Sequence, residues 1–588
     1  MDGDSPAVRR TGKETSRRAQ ADHGTRGQGD KERQGLSVSL SPALLVLLPL
    51  AFLAVFYFYP LIEITRLSVA PHGALDLQSL AELVSSPYYL HTLWFTVWQA
   101  AASTALTLIA GLPAAYVFAR YDFPGKTLLR SLTTIPFVLP TVVVAAAFTS
   151  LVGPAGVVNV WLMGLLHLAQ PPVQLLGTIW MILLAHVFYN YTVVLRIVGS
   201  FWANLDPTLE NAAAVLGANR VRRFLEITLP LLTPAIAAAA LLVFIFDFTS
   251  FGVVLILGGS QFATLEVEVY RQTVNLFNLP MAAALSLVQA ACTLALTAIY
   301  TRLQARTARP LNLRPQTITQ RKPTTRRARW LVGVNVVFMA ALLITPLLAL
   351  VWRSASDSLQ PYAELFINRR ESYFYVPPIV AIRNSLLVAG ITIAASLLLG
   401  FIAANFISRR AGRSRSAAIL DPVFMLPLGT SAVTLGFGYI IALDSPPLDL
   451  RASPAMLPLA HTLVAFPFVV RSLLPVLRGI RPSLREAAAV MGASPWRAWL
   501  EVDLPIVGRA MLVAAAFAFA ISMGEFGATA LVARPEFPTM PVVIYRFLGQ
   551  PGALNYGQAL AMSTLLMLVV AVGIVLIERV RVGDVGEF

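Results

Sequence analysis

Gly125-Lys126-Thr127 matches the end of a phosphate-binding loop. Such a loop cradles phosphate on backbone N–H groups and needs a first glycine five positions before the second. Arg120 holds that place here, and an apolar run rather than a strand precedes it. The triplet therefore cradles no nucleotide. The six histidines, His23, His72, His91, His167, His186 and His461, lack metal-ligand spacing. His186 and His461 stand in apolar runs, where hydrogen-bonded helix packing is the simpler reading and a place on a solute path the other. Asp247 lies in Phe-Ile-Phe-Asp-Phe-Thr-Ser-Phe-Gly and Glu525 in Ser-Met-Gly-Glu-Phe-Gly. An ionisable side chain at membrane depth is costly unless it faces water or a partner. Two readings stay open: with Ser250, these acids line an aqueous route for a cation, or they bond to neighbouring helices.

The elements that hold these residues are apolar runs. Hydrophobic residues make up 57% of the 588 and charged residues only 13%, against about 25% charged in soluble domains. That excess of apolar surface calls for a polytopic membrane protein. The net charge of +15 does not mark a nucleic-acid binder. The basic residues fall between apolar spans and lack the interleaved aromatics that stack bases. The single cysteine, Cys292, excludes a disulfide framework.

Twelve windows are long enough to span a bilayer: 40–62, 89–118, 131–152, 174–198, 236–258, 282–303, 331–352, 381–407, 418–441, 456–477, 510–532 and 556–577. With the N-terminus inside, most of the 45 Lys and Arg fall on the inner side, the orientation that positive charge in short loops selects. Both termini are then expected in the cytoplasm. Residues 1–38 are polar and basic, and are expected to be a disordered tail. Residues 306–329 carry Pro310, Pro315 and Pro323 among basic residues and read as an extended cytoplasmic linker.

The linker divides two repeats, 39–305 and 330–588. Residues 186–217 align without a gap on 461–492. That constant offset pairs His186 with His461, Gly217 with Gly492, Pro230 with Pro505, Ser250 with Glu525, and Phe251-Gly252 with Phe526-Gly527. Each half has six spans and starts inside, so the halves are parallel repeats about an axis along the membrane normal. The expected fold is all-α: twelve transmembrane helices as two parallel six-helix units.

Two long loops, 204–230 and 479–505, follow the fourth span of each half. Each reads as two short helices with a tight turn. Asp206 and Pro207 suit a helix start, the alanines at 212–214 and 487–489 suit its body, and Gly217 and Gly492 suit a left-handed stop. Asn219 and Ser494 can start the next helix, and Pro230 and Pro505 mark the return to the membrane. An alanine face lets a partner approach closely.

These loops resemble the coupling loop of bacterial ABC-importer permeases, whose pattern is E-A-A, three residues, G, nine residues, I-x-L-P. The second loop fits through Glu486, Ala487, Ala488, Gly492, Val502, Leu504 and Pro505. The first fits through Ala212, Ala213, Gly217, Ile227, Leu229 and Pro230, but carries Asn211 where the family has Glu, with Glu210 one position earlier. The resemblance implies a type I ABC importer permease in the bacterial cytoplasmic membrane. It implies two ATPase subunits, which hold the ATP and Mg, docked on these loops, and a separate extracytoplasmic solute-binding protein. This chain itself would bind no cofactor or metal and catalyse no reaction. Residues 185–190 (Ala-His-Val-Phe-Tyr-Asn), Gly258-Gly259 with Ala263-Thr-Leu-Glu266, and Gly524-Glu-Phe-Gly527 with Phe537-Pro-Thr-Met-Pro541 are similar to the thiamine members of a thiamine and ferric-iron permease group. Thiamine is the expected cargo and ferric iron the alternative. A secondary carrier with six plus six spans is the remoter one; its fourth-to-fifth-span connections would be short, and here they are long. A membrane enzyme would need a polar catalytic cluster at a span end, and the sequence offers none.

Overall fold

The computed structural model describes residues 42–71, 73–206, 208–307, 320–356, 358–368, 376–410, 415–444, 448–451 and 453–580. The expected disordered tail at 1–38 lies outside them. Among the described residues, eleven helices are long and apolar enough to cross a membrane. They are α1 Leu47–Val69, α2 Pro87–Arg120, α3 Thr141–Leu166, α4 Ile179–Ala203, α5 Arg220–Phe248, α6 Leu279–Leu303, α7 Arg326–Ala355, α8 Val380–Arg409, α10 Met456–Gly479, α11 Trp496–Gly524 and α12 Ala553–Val575. A bent pair, Ile419–Gly429 with Ala432–Ala442, supplies α9. The fold is all-α, as expected.

Several expected spans move, for local reasons. The window 418–441 is not one straight helix: its two parts meet at 94°. A turn of 3-10 helix over Leu426–Gly429 carries Pro427, and the Ser431 hydroxyl then caps a new helix by accepting from Val433 N at 3.1 Å. The window 131–152 likewise breaks at Leu139-Pro140, and its membrane helix starts at Thr141. The fifth and eleventh spans begin earlier than expected and stop at Phe248 and Gly524; separate short helices, Gly252–Leu257 and Gly527–Val532, follow. The linker is shorter than expected. Helix runs to Thr307, and α7 starts at Arg326, where Thr325 Oγ1 accepts from Ala328 N at 3.2 Å. Residues 308–319 lie outside the described residues.

The repeat is visible as geometry. In each half the second helix packs on the fourth, α2 on α4 and α8 on α10. A glycine sits at each crossing: a Cβ on Gly111 would lie 2.8 Å from Val194 Cβ, and one on Gly400 would lie 2.5 Å from Val469 Cγ1. Val194 and Val469 are repeat mates, so one close approach is built twice. The π-helical segments Phe224–Thr228 and Trp499–Asp503 are also mates. Each lies just before Pro230 or Pro505, whose ring has no N–H and crowds the carbonyl four residues back. A widened turn absorbs that loss.

The halves exchange their first helices. α1 packs on Ala432–Ala442 of the second half, and α7 packs on Thr141–Val152 of the first. Tyr57 Oη bonds Thr430 Oγ1 at 2.8 Å, and Val46, Leu53 and Tyr57 join a core built from α8, α10 and α11. The two sequence units therefore form one interlocked bundle.

Candidate functional site

Both loops fold as their residue types require. The first helix of loop one spans Thr208–Val215, with Asp206 Oδ1 accepting from Thr208 N at 2.9 Å; Pro207 lies outside the described residues. The first helix of loop two spans Pro482–Val490, with proline in its first turn. Gly217 and Gly492 then take φ of +86° and +82°, the left-handed region a side chain disfavours. The closing bonds repeat: Ala218 N donates to Ala213 O, and Ala493 N to Ala488 O, each at 3.0 Å. Asn219 and Ser494 start the next helices by accepting from Arg222 N at 2.8 Å and Arg497 N at 3.3 Å.

The exposed apolar residues are placed alike. Val215 and Leu216 are 88% and 87% exposed, and their mates Val490 and Met491 are 88% and 81% exposed. Leu209, Val221, Leu484 and Trp496 add to the same surfaces. Apolar surface held out by a rigid turn marks an interaction site. Asn211, Ala212, Glu486 and Ala487 are exposed beside it, while Ala213 is half-buried. Ala488 is buried, so this helix does not present all three of its alanines to solvent.

Glu210 also faces inward. Its Oε1 takes a hydrogen bond from Arg120 Nη2 at 2.5 Å and another from Thr228 Oγ1 at 2.8 Å. Arg120 ends α2 and is buried. Glu210 is thus held by its own half and does not replace the family's Glu at position 211. In loop two the mate of Glu210 is Arg485, whose Nε donates to both Asp503 oxygens at 2.9 and 3.0 Å. Asp503 is the mate of Thr228. These tethers were not anticipated; the exchange of Glu for Arg and Thr for Asp at paired offsets was the available signal. The linker joins the first tether from outside, since Arg321 N donates to Arg120 O and Asp122 N to Arg321 O, both at 3.0 Å. The nearby Gly125-Lys126 is a turn: Gly125 takes φ +81°, Lys126 Nζ donates to Tyr121 O at 2.7 Å, and burial lowers the Lys126 pKa to about 8.

At the opposite ends of α5 and α11 the membrane acids lie beside the two histidines. His186 bonds Ser103 Oγ at 2.8 Å and Ser250 Oγ at 2.7 Å. Asp247 Oδ1 accepts from Asn190 Nδ2 at 2.7 Å and lies 3.6 Å from His186 Nδ1. Asp247 Oδ2 is buried without a partner. His461 bonds Ser522 Oγ and Thr529 Oγ1, each at 2.8 Å, and lies 3.3 Å from Glu525 Oε2. Glu525 caps Gly527–Val532: Oε1 accepts from Ala528 N at 2.8 Å, and Oε2 from Thr529 N at 3.0 Å and from Thr529 Oγ1. All of Asp247, Ser250 and Glu525 are buried. Near the same face, a cavity of ≈490 Å³ is lined by Asp444, Asp449, Arg451 and Arg534 among other residues.

Residues 107–309 match the family described as binding-protein-dependent transport system inner membrane component. The chain is 28% identical over 473 residues to a thiamine transport system permease protein of Salmonella typhimurium, covering 79% of this chain and 84% of that protein. A thiamine transport system permease protein of Brucella abortus matches at 28% over 460 residues, 77% and 81% of the two chains. A probable ABC transporter permease protein of Sinorhizobium fredii matches at 26% over 555 residues, 90% and 95%. The chain is an ABC-importer permease. It is a multi-pass membrane protein and a transport component rather than an enzyme. A solved bacterial ABC transporter involved in the import of the acidic polysaccharide alginate aligns with 46% of this chain and 96% of its own, at 17% identity and a TM-score of 0.38. The two loops of the permease are the feature that composition alone would not have produced. Their turn geometry, exposed apolar pairs and position before α5 and α11 are the same in both halves.

Proposed function

We propose that this permease imports thiamine, delivered by an extracytoplasmic binding protein and driven by two ATPase subunits docked on the loops 204–230 and 479–505. The observation that carries the docking is the duplicated exposed pair, Val215-Leu216 and Val490-Met491, each beside a left-handed glycine. On this reading Asn211, Ala212, Gly217, Glu486, Ala487 and Gly492 form the contact surface, with Ala213 and Ala488 packing behind it and Glu210 fixing the first loop. Unlike residues at 211 and 486 make the two contacts unequal. ATP and Mg sit on the ATPase subunits. The repeat units meet at the linker between Thr307 and Arg326, this linker and both termini are cytoplasmic, and the bacterial cytoplasmic membrane is the compartment.

The mechanism follows from the connectivity. ATP draws the ATPase subunits together and the loops with them. α5 and α11 begin at the loops and cross to the far face, so they carry the motion there. The interlocked halves then rock about their axis, and the path opens to alternate sides. The thiamine reading is supported by the names of the relatives, by the residues at 185–190, 258–266 and 524–541, and by Asp247 at the far end of α5, whose second carboxylate oxygen has no partner and suits a cationic cargo.

The test is reconstitution of the permease in liposomes with its ATPase and binding protein. Uptake of labelled thiamine that requires both partners and ATP is the expected result. Uptake of ferric iron in place of thiamine would overturn the cargo, and uptake without the ATPase would overturn the class in favour of a secondary carrier.

A further inference from the structure

A residue and its repeat mate can touch only beside the axis that relates the halves. Two aromatic mate pairs do so. Phe251 and Phe526 stack with ring centroids 5.5 Å apart and planes at 26°. Tyr270 and Tyr545 face each other closely enough for their hydroxyls to interact electrostatically. Each phenylalanine also packs on the tyrosine of its own half, Phe251 on Tyr270 at 5.5 Å and Phe526 on Tyr545 at 5.2 Å. Phe251, Tyr270 and Phe526 are buried. Four rings therefore close the axis where α5 and α11 have just ended.

The backbone is shaped for this contact. Gly252 and Gly527 follow the two phenylalanines. A Cβ on Gly252 would lie 2.4 Å from Thr141 Oγ1 and 3.2 Å from the Phe526 ring, and one on Gly527 would lie 3.2 Å from Ala432 Cβ. A side chain at either place would push the rings apart. Each ring is also tied to a loop by one helix. Phe251 stands three residues beyond α5, which starts at Arg220 just after Gly217 and Asn219. Phe526 stands two residues beyond α11, which starts at Trp496 just after Gly492. Movement of a loop along or across its helix must move the ring at the other end.

We propose that Phe251 and Phe526, braced by Tyr270 and Tyr545, form the gate on the cargo path opposite the ATPase side, and that the cargo passes between the two phenylalanine faces. This rests on the importer reading, and its cargo arm on the thiamine reading. A flat ring admitted between the faces needs centroids roughly 7 Å apart, twice the ~3.5 Å of carbon contact. The gate must widen for passage, and while open it offers π-faces to a flat cation. Asp247 and Glu525 stand four residues and one residue before the two rings.

The test uses the full complex in liposomes. Phe251→Cys and Phe526→Cys are combined in a Cys292→Ser background and treated with a short bis-maleimide. Strong cross-linking without nucleotide, its loss when a non-hydrolysable ATP analogue holds the ATPase subunits closed, and block of uptake by the adduct are expected. Equal cross-linking in both states, or none in either, overturns the gate. The cargo arm measures labelled-thiamine uptake by Phe251→Leu and Phe526→Leu, with Phe251→Tyr as the ring-keeping control. The leucine variants should raise KM about tenfold and the tyrosine variant should not; an unchanged KM in the leucine variants overturns stacking on the cargo. Wild-type complex that hydrolyses ATP with its binding protein yet takes up no thiamine sinks the cargo reading alone, and the cross-link still decides the gate.

Discussion

The two loops share a backbone and differ in chemistry. Their helices, left-handed glycines and π-helical exits fall at one offset, yet the charge on the loop helix is reversed: Glu210 in one half, Arg485 in the other. The reason lies in what each faces. In the first half a buried cation, Arg120, waits at the end of α2; in the second a buried anion, Asp503, waits at the start of α11. A buried charge without a partner is costly, so each loop supplies the opposite sign. The membrane site repeats the lesson. The first half has Asp247 and Ser250 around His186, and the second has Ser522 and Glu525 around His461. The acid and the serine have exchanged places three residues apart, and the histidine bonds in both. What the repeat holds constant is geometry; polar partners vary so long as each site balances.

If geometry is the shared part, breaking it should do the most harm. Gly217→Val and Gly492→Val each put a β-branched side chain at positive φ, costing about 1–2 kcal/mol or more. No atom of this chain lies within 4 Å of the added Cβ at either place, so within the permease itself the effect is strain in the turn. We expect each variant to lose binding-protein-stimulated ATP hydrolysis about tenfold or more while still inserting in the membrane. Wild-type stimulation in either variant would show that the turn does not set the docking surface.

If the tethers are balanced by sign, exchanging the sign should hurt and removing it should hurt less. Glu210→Arg sets a cation against Arg120, and Arg485→Glu sets an anion against Asp503. Both loop residues are partly exposed, so solvent screens part of the effect. We expect coupled hydrolysis to fall several-fold on reversal, roughly 1 kcal/mol, and by less for Glu210→Gln and Arg485→Gln. Reversals no worse than the neutral variants would mean that the loops are held by packing alone.

The shared geometry was legible because its signals are local. An apolar run, a glycine after three alanines and a proline at a fixed offset each act through their own few residues. Glycines at 217 and 492 could be read as left-handed stops without knowing what surrounds them. The ends of the fifth and eleventh spans were harder. Hydropathy runs straight through 247–258 and 522–532, and only the backbone shows a break there, fixed by Glu525 accepting bonds from the next short helix. The tether of Glu210 to Arg120 was out of reach. It joins residues ninety positions apart, and neither hydropathy nor a motif records which loop charge meets which helix end. The exchange of first helices was hidden for the same reason, since every apolar span looks alike from its sequence.

The smallest effect on coupled hydrolysis should come from the membrane acids, and their effects on stability and uptake should differ between the halves. Glu525 uses both oxygens: two backbone N–H groups and one hydroxyl donate to them. An amide has one oxygen, so Glu525→Gln leaves at least one buried donor unmet, at about 1–3 kcal/mol. Asp247 uses one oxygen, towards Asn190, and the other is bare. Asparagine can keep that single bond, so Asp247→Asn should leave stability within about 0.5 kcal/mol of wild type. Asp247 is therefore the acid with a charge to spare for a passing cation, and Glu525 the acid that holds a helix end. Thermal unfolding in detergent, measured beside thiamine uptake in the reconstituted complex, separates them. Glu525→Gln should lower the unfolding temperature and keep its uptake per folded molecule, whereas Asp247→Asn should unfold as wild type does and take up cargo more slowly. Equal losses of stability in the two would make both acids structural. Normal uptake by a stable Asp247→Asn would remove Asp247 from the path and leave the ring gate without its acid.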